Sequence, residues 1–150
     1  MFLLQHKDIP GETNAGQFTK CVKLDSIRVI NGKEGTNIVG NSDRFVAYGR
    51  TVIGAIHCTK TFDNATAHLI RESIKDNRVP VKIICLETNN RAYFTIEMEN
   101  CLINQHEMFS HSNHMHEKFY LTFSKIEYRS LPLGGNPFSV AYDVISGRLI

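Results

Sequence analysis

The sequence predicts a mainly β domain carrying one helix, and three observations support that prediction. Apolar and polar residues alternate along most of the chain, the period of a strand with one buried face. Turn chemistry recurs between the alternating runs: Pro10-Gly11, Asn31-Gly32, Gly40-Asn41, Thr88-Asn89-Asn90 and Gly134-Gly135-Asn136-Pro137. Only residues 64–76 follow helical spacing.

In chain order, Phe18 to Ile30 and Phe45 to Thr59 are rich in β-branched and aromatic residues and read as strand. The helix follows. Its apolar positions Ala65, Ala67, Leu69, Ile70 and Ile74 fall on one side, Asp63 is placed to cap it, and Asn77 or Arg78-Val79-Pro80 ends it. Val81, Ile83 and Cys85 alternate with Lys82 and Ile84, a run apolar enough to be covered on both faces. Asn89-Asn90 reads as a tight hairpin. Beyond it, Phe94, Ile96 and Met98 alternate with Thr95, Glu97 and Glu99. Phe119, Leu121 and Phe123 then alternate with Tyr120, Thr122 and Ser124, and Val140, Tyr142 and Val144 repeat the pattern. No repeat or linker divides the 150 residues, so the expectation is one domain, a barrel or sandwich.

The charge balance narrows the function classes. A formal net charge of +2 with no dense basic run predicts no nucleic-acid partner. No apolar run approaches the roughly 20 residues that span a bilayer, so no membrane insertion is expected. The apolar start Met1-Phe2-Leu3-Leu4 is too short for a signal-peptide core. Cys21, Cys58, Cys85 and Cys101 form no close pair and lie in apolar strands, which reads as four reduced core thiols.

Catalytic candidates are few. His57 and Cys58 are adjacent on a strand, so their side chains point to opposite faces and cannot exchange a proton. Glu97 and Glu99 share one face, with Cα atoms about 6.8 Å apart, but strand alternation alone accounts for them. His106, His111, His114 and His116 crowd the stretch from Gln105 to Glu117, read as a loop. Imidazoles at this density suit zinc or copper. A pH-sensitive subunit contact and a solvated polar loop are the other readings. No GxGxxG, P-loop, HExxH or GxSxG motif is present, and neither a cofactor nor a catalytic residue is expected.

The motif order resembles the Hcp (haemolysin-coregulated protein) family, tube subunits of type VI secretion systems. Ile9-Pro10-Gly11-Glu12-Thr13, followed by the strand through Val22-Lys23-Leu24-Asp25-Ser26-Ile27, is similar to the family's opening turn and strand. Thr59-Lys60-Thr61-Phe62-Asp63-Asn64-Ala65-Thr66 resembles the T-K-x-x-D-x-A-S/T segment that opens its only helix. Glu99-Asn100-Cys101-Leu102-Ile103, then Leu121-Thr122-Phe123-Ser124-Lys125-Ile126-Glu127-Tyr128, and finally Val140-Ala141-Tyr142-Asp143-Val144 continue the likeness. The pieces run collinearly over nearly the whole chain. This chain has no Trp, carrying Ile27 and Tyr128 at positions that are often aromatic, and its 104–115 segment is rich in histidine.

The resemblance implies a β-barrel of two packed sheets flanked by one α-helix. It implies homo-hexameric rings stacking into a hollow tube, with a contractile sheath, a spike-tip protein and effector cargo as partners. Export from the cytoplasm would proceed through the type VI apparatus without a signal peptide. The long connection from Asn31 to Tyr48, with Lys33, Glu34, Asn37, Asp43 and Arg44, is similar to the loop that relatives place between rings. Rival readings are a phage-like contractile tail-tube protein, an effector enzyme, for which 150 residues leave no added domain, and a monomeric ligand-binding β-barrel, which needs an apolar cavity.

Overall fold

The computed structural model describes the backbone of residues 1–37 and 46–150. Its elements are β1 (Phe2–His6), β2 (Thr13–Ala15), β3 (Phe18–Leu24), β4 (Ser26–Arg28), β5 (Asn31–Asn37), β6 (Val46–Ile53) and β7 (Ile56–Thr61). They continue as α1 (Thr66–Ile74), β8 (Val79–Leu86), β9 (Ala92–His111), β10 (His114–Thr122), β11 (Lys125–Ser130), β12 (Phe138–Asp143) and β13 (Arg148–Leu149).

Twenty-residue β9 organises the molecule. Its first half lies in one sheet, in the order β13-β12-β11-β9-β8-β1-β3-β2. Its second half pairs with β10, which continues through β7 to β4 and forms the facing layer. The strand turns between layers near Asn100, whose φ is 49°, and a register shift follows at Tyr120/Leu121, opposite Asn104. All β pairings among the described strands are antiparallel.

The core fills the space between layers. Leu4, Val22, Ile83, Ile96 and Met98 from one sheet meet Ile56, Cys58, Phe119 and Leu121 from the other, and Leu69 of α1 joins them. The middle strands of the first sheet are covered on both faces, as the apolar run around Ile84 predicts. Leu3, Cys21, Ile84 and Leu86 form a second cluster on the outer side under Ala15 and Phe18. All four cysteines are free and buried. Burial raises the Cys101 thiol to about 12 and pushes Cys58 higher still.

The turns behave as their residues demand. Asn90 takes a φ of 65° in the β8–β9 hairpin, where Glu87 and Arg91 close the ladder. Gly11 sits where its chain crosses β3. A Cβ there would lie 1.9 Å from the Cys21 carbonyl oxygen, so the site admits no side chain.

Three expectations are corrected. The helix is shorter than 64–76, and its buried residues are Thr66, Leu69 and Glu72, whereas Ala67 is exposed and Ile74 is 82% exposed. Two polar side chains, Thr66 and Glu72, hold the inner face because each finds a hydrogen-bond partner there. The histidine-rich stretch is no loop. β9 and β10 run through it as a ribbon closed by Ser112 and Asn113, both at positive φ (51° and 64°). Finally, the Asn31 connection is partly ordered strand: β5 and β6 pair as a separate two-stranded ribbon.

A buried ionic network and two apolar surfaces as the candidate functional site

Strand alternation places Ile56, Cys58 and Lys60 in one inward line on β7, and Glu117, Phe119 and Leu121 in another on β10. Each line therefore carries one charge into the interior. Lys60 is 1% exposed and Glu117 is fully buried. The ammonium has three N–H groups and uses all of them. It donates to Asp63 Oδ1 at 2.8 Å, to the Thr61 carbonyl at 2.9 Å and to Glu117 Oε2 at 3.0 Å.

Glu117 also accepts from the Thr66 hydroxyl, and its Oε1 lies 2.9 Å from Nε2 of His106. In the tautomer with the proton on Nε2, this nitrogen donates to the carboxylate. Asp63 Oδ1 takes the Ala65 N–H at 2.8 Å, while Thr66 Oγ accepts the Asp63 N–H. The T-K-x-x-D-x-A-T segment is thus the clamp that seats the start of α1 on β10. Among the described side chains, no buried polar atom lacks a partner.

A second network seats the other end of the helix. Glu72, 2% exposed, accepts from Asn77 Nδ2 at 2.9 Å, and the same amide donates to Asp8. Arg71 donates to the Asp8 carbonyl. His6 Nδ1 accepts the Asp8 N–H, and burial lowers the His6 pKa despite the opposing pull of Glu72 and Asp8.

The sequence-derived candidates separate. His57 stands on the outer face with its ring 4.3 Å from that of Tyr120, while Cys58 points into the core. Glu97 and Glu99 stay on the wet face, paired across strands with Lys82 (3.2 Å) and Lys125 (3.7 Å). They border a hollow of about 840 Å³ that crosses the outer face of the first sheet, with Lys7, Lys20 and Glu127 also at its wall. Its lining mixes these charged side chains with Ile9, Pro10, Pro80, Val81 and Met98.

Of the four histidines, His106 turns inward to Glu117, whereas His111, His114 and His116 lie on the outward face of the ribbon. Lys33 is exposed on β5, near the Asn31 side chain that accepts from the Tyr128 hydroxyl. The side chains of Glu34 and Asn37, and all of Asp43 and Arg44, lie outside the described residues.

Two exposed apolar surfaces complete the picture. One gathers Leu133, Phe138, Val140, Ile145, Leu149 and Ile150 at the β12–β13 edge, with Phe138 71% exposed. The other is on the ribbon face that continues from Glu117, where Met108 and Met115 are exposed, while Phe109 stands on the opposite, histidine-bearing face. Phe94 of β9 lies opposite Ser130, itself opposite Phe138, so β9 links the two surfaces from Phe94 to Met108. That is on the order of 50 Å of strand.

The profile described as "Type VI secretion system effector, Hcp" matches residues 3–129. The chain belongs to the Hcp family. Known structures agree on the Hcp fold. One described as a type six secretion system protein superposes with a TM-score of 0.87 at 12% identity, covering 99% of this chain and 98% of its own. Hcp1 from Salmonella typhimurium gives 0.81 at 14%, covering 99% and 97%. A type VI secretion system effector from Yersinia pestis gives 0.71 at 14%, covering 96% and 100%. No curated protein matches significantly. The chain is a type VI secretion tube or effector protein of the Hcp family. The helix-opening motif that carried the resemblance is the segment that builds the Lys60–Asp63–Thr66 clamp.

Proposed function

We propose that this Hcp protein is a non-catalytic subunit of the type VI inner tube: six copies close into a ring, and rings stack into a hollow tube that a contractile sheath expels. The observation that carries the reading is the pair of unlike apolar surfaces reached from the two halves of β9. A monomer gains nothing from exposing both. A closed head-to-tail ring needs two different faces that fit each other, one on each side of the subunit. Burying the β12–β13 edge between copies also removes an open strand edge.

The remaining partners follow from family membership: the sheath outside, a spike-tip protein at the end, effector cargo within, and secretion through the apparatus itself. The outer face of the first sheet, where lysines and glutamates rim the hollow, is the face we assign to the bore. The β5–β6 ribbon stands apart from the main sheet and is the element we assign to contacts between rings, with Lys33, Glu34, Asn37, Asp43 and Arg44 as its contact residues. Deleting residues 32–41 is expected to leave rings intact and to abolish their stacking, and unchanged tubes in electron micrographs would refute the assignment.

Charge placed on each surface tests the ring. Phe138→Glu and Met108→Glu are each expected to yield monomers by light scattering. Mixed together they should form dimers only, since each variant keeps one sound face. Six-membered rings from either variant alone would overturn the proposed interface.

A further inference from the structure

The geometry points to a divalent transition-metal site on the outward face of the β9–β10 ribbon, made by His111, His114 and His116. The two-residue turn at Ser112 and Asn113 sets the register, so His111 and His114 are direct cross-strand partners. In a two-residue hairpin these flanking residues form the hydrogen-bonded pair, with Cα atoms about 5.5 Å apart and both side chains on one face. His116 lies two residues further along β10 on that same face. Its ring centroid is 6.2 Å from that of His111. Two imidazoles bound to one ion at about 2.0–2.1 Å per nitrogen hold their centroids roughly 5–6 Å apart, so the separation is within reach of a small side-chain rotation.

The chemistry suits the geometry. Among the described residues, no hydrogen bond or ion pair holds His111, His114 or His116, whereas His106 is occupied with Glu117. His116 is steadied by the ring of Phe109, centroids 5.6 Å apart and nearly parallel. Neutral imidazole nitrogens favour Zn²⁺, Cu²⁺ and Ni²⁺ over the oxygen-seeking Ca²⁺ and Mg²⁺. Among the described residues no three ligating side chains already converge, so closure occurs by rotation of these exposed rings when the ion arrives. Water completes the coordination, and the bound ion ties the two strands together at their tip.

The test uses the tag-free full chain and zinc chloride, followed by calorimetry and by the histidine ring signals in NMR. The expected result is one zinc per chain, with shifts confined to His111, His114 and His116. His114→Ala should weaken binding at least ~10-fold, while His68→Ala, on the helix, should leave it unchanged. Because the three side chains are exposed or half-buried, the triple alanine variant is expected to fold, checked by circular dichroism. No saturable binding at millimolar zinc, or undiminished binding by the triple variant, would overturn the site.

Discussion

The two ends of α1 are fastened by different chemistry around the same kind of group, a buried carboxylate. At the start, Glu117 meets a buried lysine, a hydroxyl and an imidazole, and the three N–H groups of Lys60 are all taken. At the other end, Glu72 meets the neutral amide of Asn77, and its nearest cation, Arg71, is half exposed with its Nε at 3.4 Å. The first site is an ion pair closed off from water. The second is a polar hinge whose carboxylate is also buried but whose partners, Asn77 and Arg71, reach water. Neutralising one member of a buried ion pair strands the other charge, whereas neutralising a carboxylate held by a neutral amide strands no buried counter-ion.

The same substitution at both sites sharpens that contrast most. Glu117→Gln leaves the Lys60 cation with Asp63 alone, and is expected to cost about 3–5 kcal/mol in denaturant unfolding. Glu72→Gln keeps an acceptor for Asn77 and should cost only about 1–2 kcal/mol. Equal losses would show that the two ends do not differ as described. Between these lies Gly11→Ala, which drives a Cβ into the Cys21 backbone and lifts the turn carrying Asp8 away from the helix. A loss of about 1–3 kcal/mol is expected.

The smallest effect is a pH dependence confined to the polar hinge. Burial holds His6 below its ordinary value of 6.5, with Lys7 and Arg71 adding to the shift and Glu72 and Asp8 opposing it. The unfolded chain therefore takes up the proton first. Stability is full above pH 6.5 and declines as pH falls through the interval between the unfolded and folded values. Asp8, lowered by its hydrogen bond from Asn77, adds a separate loss only below about pH 3.8. His6→Asn keeps an acceptor for the Asp8 N–H and should flatten the first decline alone. An unchanged slope in a pH series of unfolding curves would remove His6 from the account.

Much of this fold was legible as alternation. The Val81–Cys85 and Phe94–Met98 strands and the Asn89-Asn90 hairpin follow from spacing and turn residues. Lys60 and Glu117 were legible by the same rule, since each stands in line with core residues of its strand. They are missed when polarity is taken to mean exposure. The histidine ribbon hid for another reason: its tip is exposed on both faces, so no apolar alternation marks it, and its polar residues have weak strand preference. The Val140–Val144 pattern shows the converse. Its strand formed, but Val140 and Val144 stay exposed, on the face that the proposed ring would cover.

The claim that these apolar surfaces exist for assembly is tested most directly by light scattering of the purified chain, with negative-stain imaging of the same sample. The account predicts a species of six 17.0 kDa chains with ring-shaped views. A monomer at every concentration, its Phe138 and Met108 surfaces still exposed to solvent, would contradict it.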